Sequence, residues 1–192
     1  MAAKAKKSRS AARKAKAGRP LERTARRPRA RAGTRKVVKP IPEGYHSVTP
    51  YLCVDGAADA IAFYKKAFGA KERMRMAAPG GKVAHAEITI GDSILMMADE
   101  FPEMDFRSPK ARGGTPVTLH VYVKNVDQAF ARAVDAGATV KQPVKNQFYG
   151  DRSGTLQDPF GHVWHLSTHV EELSMKEIMK RGEEAMKGGG GG

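Results

Sequence analysis

Apolar and polar residues alternate in short runs over residues 47–168, and two stretches switch to helical spacing. In residues 47–54, Val48, Leu52 and Val54 face one side and Thr49, Tyr51 and Cys53 the other, which predicts a strand. Pro50 cannot donate to a ladder and puts that strand at an edge. Over residues 56–68, Ala57, Ala60, Ile61, Tyr64 and Phe68 fall on one helical stripe, and Gly69 stops it. Lys71–Ala77 predicts a weak strand, and Pro79-Gly80-Gly81 turns the chain. Val83–Ile90 sets Ala84, Ala86, Ile88 and Ile90 against His85, Glu87 and Thr89. Gly91-Asp92 closes a hairpin onto a strand over residues 93–98.

The same order then recurs. A strand over 117–123 turns Val117, Leu119, Val121 and Val123 inward, with Thr118, His120 and Tyr122 opposite. A helix over 126–136 carries Val126, Ala129, Phe130, Ala133 and Val134, with Asn125 and Gln128 as a capping box. A strand over 139–144 and a hairpin complete the set. The hairpin arms are Asp151–Gln157 and residues 162–168, joined by Asp158-Pro159-Phe160-Gly161. On its second arm Trp164 and Leu166 need a core, so His165 looks out of the opposite face. Val54 matches Val123, Ala60 matches Ala129, and the Gly91 turn matches the Gly161 turn. This is a duplication with a period of about 69 residues. It predicts an α+β fold of two βαβββ modules, each a curved sheet with a helix on its convex side, together forming a cup.

Charge divides the chain differently. Residues 1–39 hold sixteen Lys or Arg and one acid, a net +15, whereas residues 40–192 carry −1. The pI of about 10.0 therefore belongs to the tail. With almost no large apolar residue, residues 1–39 read as a disordered basic tail. The domain is expected over 40–170, with modules at about 44–98 and 117–169. They are joined by residues 99–116, a lid carrying Phe101, Met104 and Phe106. Ser174 and Glu177 start a C-terminal helix over 171–187, and glycines 188–192 form a tail. Cys53 is the only cysteine, which fits a reducing, cytoplasmic setting. No apolar run has the length of a membrane span.

Three stretches resemble a known family. Asp99-Glu100-Phe101-Pro102-Glu103-Met104, Gln147-Phe148-Tyr149-Gly150-Asp151-Arg152-Ser153-Gly154 and Asp158-Pro159-Phe160-Gly161-His162 are similar to the PhnB-like branch of the vicinal oxygen chelate superfamily. That superfamily includes glyoxalase I, extradiol dioxygenases and the fosfomycin and bleomycin resistance proteins. Its enzymes place four metal ligands, usually His and Glu, on the concave faces of four strands. Here the resemblance puts Thr49, Leu95, Thr118 and His165 at those positions, and His165 alone is a usual ligand for a divalent metal. No cofactor is expected. A displaced divalent metal at Glu87, His120 and His165 is the alternative. The ligand cup is expected to be lined by Thr49, Tyr51, His85, Glu87, Leu95, Met97, Thr118, His120, Tyr122 and His165, with Tyr149 and Arg152 at its rim. Met96 reads as core, as does Trp164, and His46, His162 and His169 as surface.

The resulting expectation is a small-molecule binding protein of resistance or sequestration type, forming a homodimer. A metal-dependent lyase, isomerase or dioxygenase of glyoxalase type is one alternative. A protein held to nucleic acid by residues 1–39 is the other.

Overall fold

The computed structural model describes residues 38–188; the basic tail expected over residues 1–39 therefore lies outside the described residues, except for its last two. Strand β1 (Tyr51–Val54), helix α1 (Ala57–Phe68) and strands β2 (Lys71–Ala77), β3 (Val83–Ile90) and β4 (Ser93–Asp99) make the first module. Strand β5 (Thr118–Tyr122), helix α2 (Val126–Asp135) and strands β6 (Thr139–Asn146), β7 (Asp151–Gln157) and β8 (Val163–His169) make the second. Helix α3 (Met175–Gly188) follows. Each module is a four-stranded mixed sheet, ordered β1-β4-β3-β2 and β5-β8-β7-β6, with one parallel pair in each. β1 is an edge strand, as Pro50 requires, and it is shorter than the alternation suggested because Pro50 ends its ladder.

The helices form for the reasons visible in their stripes. Ala57, Ala60, Ile61, Phe63, Tyr64 and Ala67 of α1 are buried, and Gly69 adopts a left-handed conformation (φ 67°) to end the helix. Asn125 caps α2 by accepting from the Gln128 backbone N–H. Each helix is also held at its start by the last strand of its own module. Asp99 Oδ1 accepts from the N–H groups of Gly56 (3.0 Å) and Ala57 (2.8 Å). One repeat later, Thr168 Oγ1 accepts from the Val126 N–H at 2.8 Å.

One core joins the modules. Tyr64 and Phe68 of α1 pack on Trp164 of β8, with ring centroids 5.2 and 4.7 Å apart. At the centre is Asp158 in the β7–β8 turn. Its Oδ2 accepts from the Tyr64 hydroxyl (2.7 Å) and Trp164 Nε1 (2.8 Å), and its Oδ1 from the backbone N–H groups of Phe160 and His162, both at 2.9 Å. His162 Nε2 lies 3.1 Å from the Cys53 carbonyl. His162 is therefore buried and bridges the modules; it is not the surface residue its turn position suggested. Trp164 is fully buried, as expected. Val117 is exposed, because β5 begins only at Thr118.

Residues 99–116 fold back on themselves. Phe101 and Phe106 pair backbone to backbone around a turn at Pro102–Met104, and Asp105 closes the turn with a left-handed φ of 55°. Ser108 is buried, its N–H donating to Glu100 Oε1 at 2.6 Å.

Candidate functional site

Cross-strand register decides which residues share a face. In the first sheet Tyr51, Met96 and Glu87 are register partners, so they share the helix-free face with His85. Leu95 and Met97 pair with Ile88 and Ala86 and are buried on the helix side. This reverses the expected phase of β4: Met96, not Leu95 or Met97, is the residue one repeat before His165. In the second sheet His120, His165 and Thr155 are register partners, as are Tyr122, Ser167 and Ser153. Arg152 falls on the other face. It grips Asp127 at the start of α2 with two hydrogen bonds of 2.8 and 2.7 Å and donates to Asn146, so it is not at the rim of the helix-free face. Thr49 precedes β1 and donates to the His46 carbonyl; Thr118 is exposed at the start of β5.

Of the expected site residues, Tyr51, His85 and Glu87 come together on the first sheet and His120, Tyr122 and His165 on the second. The first cluster is centred on Glu87. Its Oε1 accepts from the Tyr45 hydroxyl at 2.6 Å, and its Oε2 from Arg73 Nη1 at 3.0 Å. His85 Nε2 lies 3.4 Å from Oε1, and His85 Nδ1 lies 2.9 Å from the Tyr51 hydroxyl. The Tyr45 hydrogen bond holds the Glu87 carboxyl below its ordinary range; burial opposes it, and His85 and Arg73 add to the lowering. Tyr51 borders a cavity of about 350 Å³ walled by Ala84, Ala98, Phe101, Met104 and Phe106. Burial raises the Tyr51 hydroxyl above its ordinary value, so it stays protonated at neutral pH.

The second cluster is a His pair. The rings of His120 and His165 meet edge to face with centroids 4.8 Å apart, and Tyr122 stacks on His120 at 4.8 Å. Thr155 Oγ1 lies 2.8 Å from His165 Nδ1. Burial, then the neighbouring His120, lowers the His165 pKa, so its imidazole is neutral at pH 7. Nearby, buried Asp151 accepts from the Tyr122 hydroxyl (2.9 Å) and pairs with His169 (2.8 Å). Ser167 Oγ is buried with no hydrogen-bond partner among the described residues.

The His pair sits between two cavities. His165 lines one of about 410 Å³ with Gln142, Lys145, Gln147 and Tyr149. His120 and Tyr122 line another of about 440 Å³ at the junction of the modules, where Leu95, Leu119 and Ile90 supply apolar walls. The cavity beside His165 is lined by the second module alone, and the one beside Tyr51 by the first module together with the loop over residues 99–116.

A metal of the superfamily type does not fit these residues. The positions the resemblance assigns hold Thr49, Thr118, His165 and, once the phase of β4 is corrected, Met96. Two hydroxyls, a thioether and one imidazole are a poor donor set for a hard or borderline divalent ion. Nor does the chain gather Glu87 with His120 and His165. Glu87 is engaged on the other sheet, and no three His, Cys, Asp or Glu side chains are grouped to hold an ion among the described residues.

Arg73, Tyr45, Met96, Thr155 and Gln142 belong to these clusters and were missed in the sequence. The pairing of β2 with β3 brings in Arg73 and that of β6 with β7 brings in Gln142, and both pairs contain register shifts that strand alternation does not reveal. Met96 and Thr155 enter through the register of β4 and of β7 with β8, and Tyr45 from the segment before β1.

Two βαβββ modules sharing one core, with polar clusters on their helix-free faces, define a paired-module α+β protein. The Glyoxalase/Bleomycin resistance protein/Dioxygenase superfamily profile matches residues 44–166, and the chain belongs to that superfamily. An uncharacterized protein of Mycobacterium tuberculosis is 46% identical over 135 residues, covering 69% of this chain and 79% of that protein. The crystal structure of TioX from Micromonospora sp. superposes with a TM-score of 0.52 at 25% identity, covering 67% of this chain and 100% of that one. A PhnB protein from Bacillus cereus, described as a putative 3-demethylubiquinone-9 3-methyltransferase, gives a TM-score of 0.50 at 21% identity. It covers 64% of this chain and 99% of that chain, and that likeness is one of fold.

Proposed function

We propose that the protein binds a small organic molecule on the helix-free faces of its sheets, in the manner of a resistance or sequestration protein, without a resident metal. The observation that carries this is the His120–His165 pair. Two imidazoles in edge-to-face contact stand between cavities of about 410 and 440 Å³, within the range of ordinary ligand sites. Aromatic, hydroxyl and amide groups surround them, and few carboxylates do. Metal-dependent lyase, isomerase or dioxygenase chemistry is the weaker reading, because the donor set is wrong for it.

We place the protein in the cytoplasm as a homodimer. The cavity beside His165 is lined by the second module alone, so a second copy would supply the facing wall, and closed two-fold dimers are the commonest assembly. Met175, Met179 and Met186 on α3 are exposed and offer further apolar area. Sedimentation as a monomer at micromolar concentration would argue against this assembly.

The direct test is untargeted mass spectrometry of molecules that co-purify with the full chain, with elemental analysis of the same sample. A stoichiometric organic ligand, lost in His120→Ala and His165→Ala proteins of unchanged melting temperature, supports the reading. One tightly held Zn, Ni, Mn or Fe per chain would overturn the metal-free part of it.

A further inference from the structure

We infer that the cavity beside His165 takes a small organic monoanion, such as an aromatic carboxylate, and that Lys145 pairs with its charge. This rests on the reading that the helix-free faces bind small molecules, and adds the chemical class that this one takes.

The second sheet lays two transverse rows of side chains across its helix-free face. Register pairs His120 with His165, His165 with Thr155 and Thr155 with Gln142. The neighbouring row runs through Tyr122, Ser167, Ser153 and Lys145 in the same way. Gln142 and Lys145 are three residues apart, so plain alternation would put them on opposite faces. A register shift sets Pro143 and Val144 against the single residue Gly154 and returns Lys145 to the face of Gln142. Pro143, which has no N–H to give the ladder, sits in that bulge.

The charge on this face is one-sided. Neither row contains an acid, and Lys145 is the only Lys or Arg in them. The acids nearby are taken. Asp127 is held by Arg152 at 2.7 Å and Asp151 by His169 at 2.8 Å, and Lys145 has no ion pair among the described residues. Lys145 shares a cavity of about 410 Å³ with Gln142, Pro143, Gln147, Tyr149 and His165. Thr155 Oγ1 donates to Gln142 Oε1 at 3.2 Å, so the amide N–H groups of Gln142 are left to donate. An ammonium, an amide and a phenolic hydroxyl thus offer donors to one ligand, and no carboxylate lines the cavity to compete with it.

The donors also limit the ligand. One ammonium with no guanidinium beside it matches one negative charge, and a dianion would leave a charge without a partner. The aromatic side suits a flat body. His120 meets the His165 ring edge to face. Tyr149 packs edge to face with Phe148 at 5.2 Å, and Phe148 lies against Gly182 of α3, where a Cβ would come within 3.1 Å of the ring. The C-terminal helix therefore braces this wall, against which a ligand ring can pack.

The test titrates three probes against the full chain at about pH 7.5, where benzoate is ionised. They are benzoate, the neutral and nearly isosteric benzamide, and phenyl phosphate, a dianion. The imidazole resonances of His165 report binding in this cavity. Benzoate should bind about fivefold more tightly than benzamide, the upper end for a solvent-accessible ion pair. Lys145→Met should bring benzoate down to the level of benzamide and leave benzamide unchanged. Residues 1–39 also attract anions, and the Lys145→Met chain keeps them, so a preference that survives in it would put the anion elsewhere and overturn the inference. Equal binding of benzoate and benzamide would overturn the anionic class and leave the small-molecule reading standing. Phenyl phosphate binding more tightly than benzoate would overturn the match to a single charge. If no probe moves the His165 resonances, the cavity is not this site, whereas the reading beneath it is judged separately, by whether an organic ligand co-purifies.

Discussion

Replacing Asp158 by Ala tests whether the two modules are held by a buried polar hub or by apolar packing alone. The carboxylate accepts four hydrogen bonds of 2.7–2.9 Å. Two of its donors, the Tyr64 hydroxyl and Trp164 Nε1, belong to side chains with no exposed surface. In Asp158→Ala both donors are stranded out of reach of water. A buried unsatisfied donor costs about 1–3 kcal/mol, so the pair costs about 2–6 kcal/mol. The buried N–H groups of Phe160 and His162 lose the same carboxylate as acceptor. A domain of this size is stable by about 5–15 kcal/mol, so the loss is a large share of the total. With a urea m-value of about 2 kcal/mol/M, the unfolding midpoint should fall by about 1–3 M. Asp158→Asn keeps one carbonyl acceptor and should fall by about half as much. Tyr64→Phe is the cross-check. It removes one of the stranded donors, so it should cost about 1 kcal/mol in the native protein and regain stability in the Asp158→Ala background. A loss below about 1 kcal/mol in Asp158→Ala, with additive behaviour of Tyr64→Phe, would refute the hub.

Three further outcomes are expected. In Gly154→Ala the new Cβ would lie 2.6 Å from Phe130 Cε2 and 3.0 Å from Val144 Cγ2, so the melting temperature should drop by an amount equivalent to about 1–3 kcal/mol; a native-like melt would show that α2 can move away. Burial lowers the His162 pKa below its ordinary value, so the unfolded chain binds that proton more readily. The contribution of His162 is present above about pH 6.5 and is lost as pH falls through its folded value, whereas His169, raised by Asp151 and Glu172, acts in the opposite sense from a half-exposed position. Urea midpoints between pH 7 and 5 should therefore fall less in His162→Gln than in the native protein, and an equal fall would assign the effect elsewhere. Finally, deletion of residues 1–39 should remove salt-dependent binding to random-sequence duplex DNA: with about six phosphates engaged, log affinity falls with log salt at a slope near −5, and equal weak binding by both chains would leave that tail without this partner.

Much of the fold was legible in the sequence, because alternation and stripe period are local properties. The strands of Val83–Ile90 and Asp151–Gln157, the α1 stripe and the duplication could all be read directly. The errors arose where a long-range relation decides the outcome. Matching turn glycine to turn glycine, Gly91 to Gly161, shifts β4 by one residue, because the β3–β4 loop is tighter than the β7–β8 turn. Register partners instead pair Tyr51 with Met96 and His120 with His165, a uniform spacing. A slip of one residue exchanges the faces of a strand, so Leu95 and Met97 were assigned to the cup and Met96 to the core. His162 looked exposed because turns usually are, yet this turn inserts beneath α1. Arg152 has polar neighbours on both faces of β7, and only the position of Asp127 in space decides between them. The two His of the second cluster were legible because both stand opposite apolar strand positions. Their separation from Glu87 was not, since it depends on how the modules pack.

The capping of each helix by the last strand of its own module also bears on the order of assembly. Gly56 and Ala57 wait for an acceptor 43 and 42 positions later in the chain, and Val126 waits for one 42 positions later. Neither helix can be completed at its first turn by local sequence, so each module tends to close as one cooperative unit. The amide protons at the starts of α1 and α2 thereby become reporters. Their hydrogen exchange should track the opening of β4 and β8 rather than the fraying of the helices themselves. A duplication that copied this closure along with the strands produced two modules with the same internal closure, which become one domain through the shared core around Tyr64, Asp158 and Trp164.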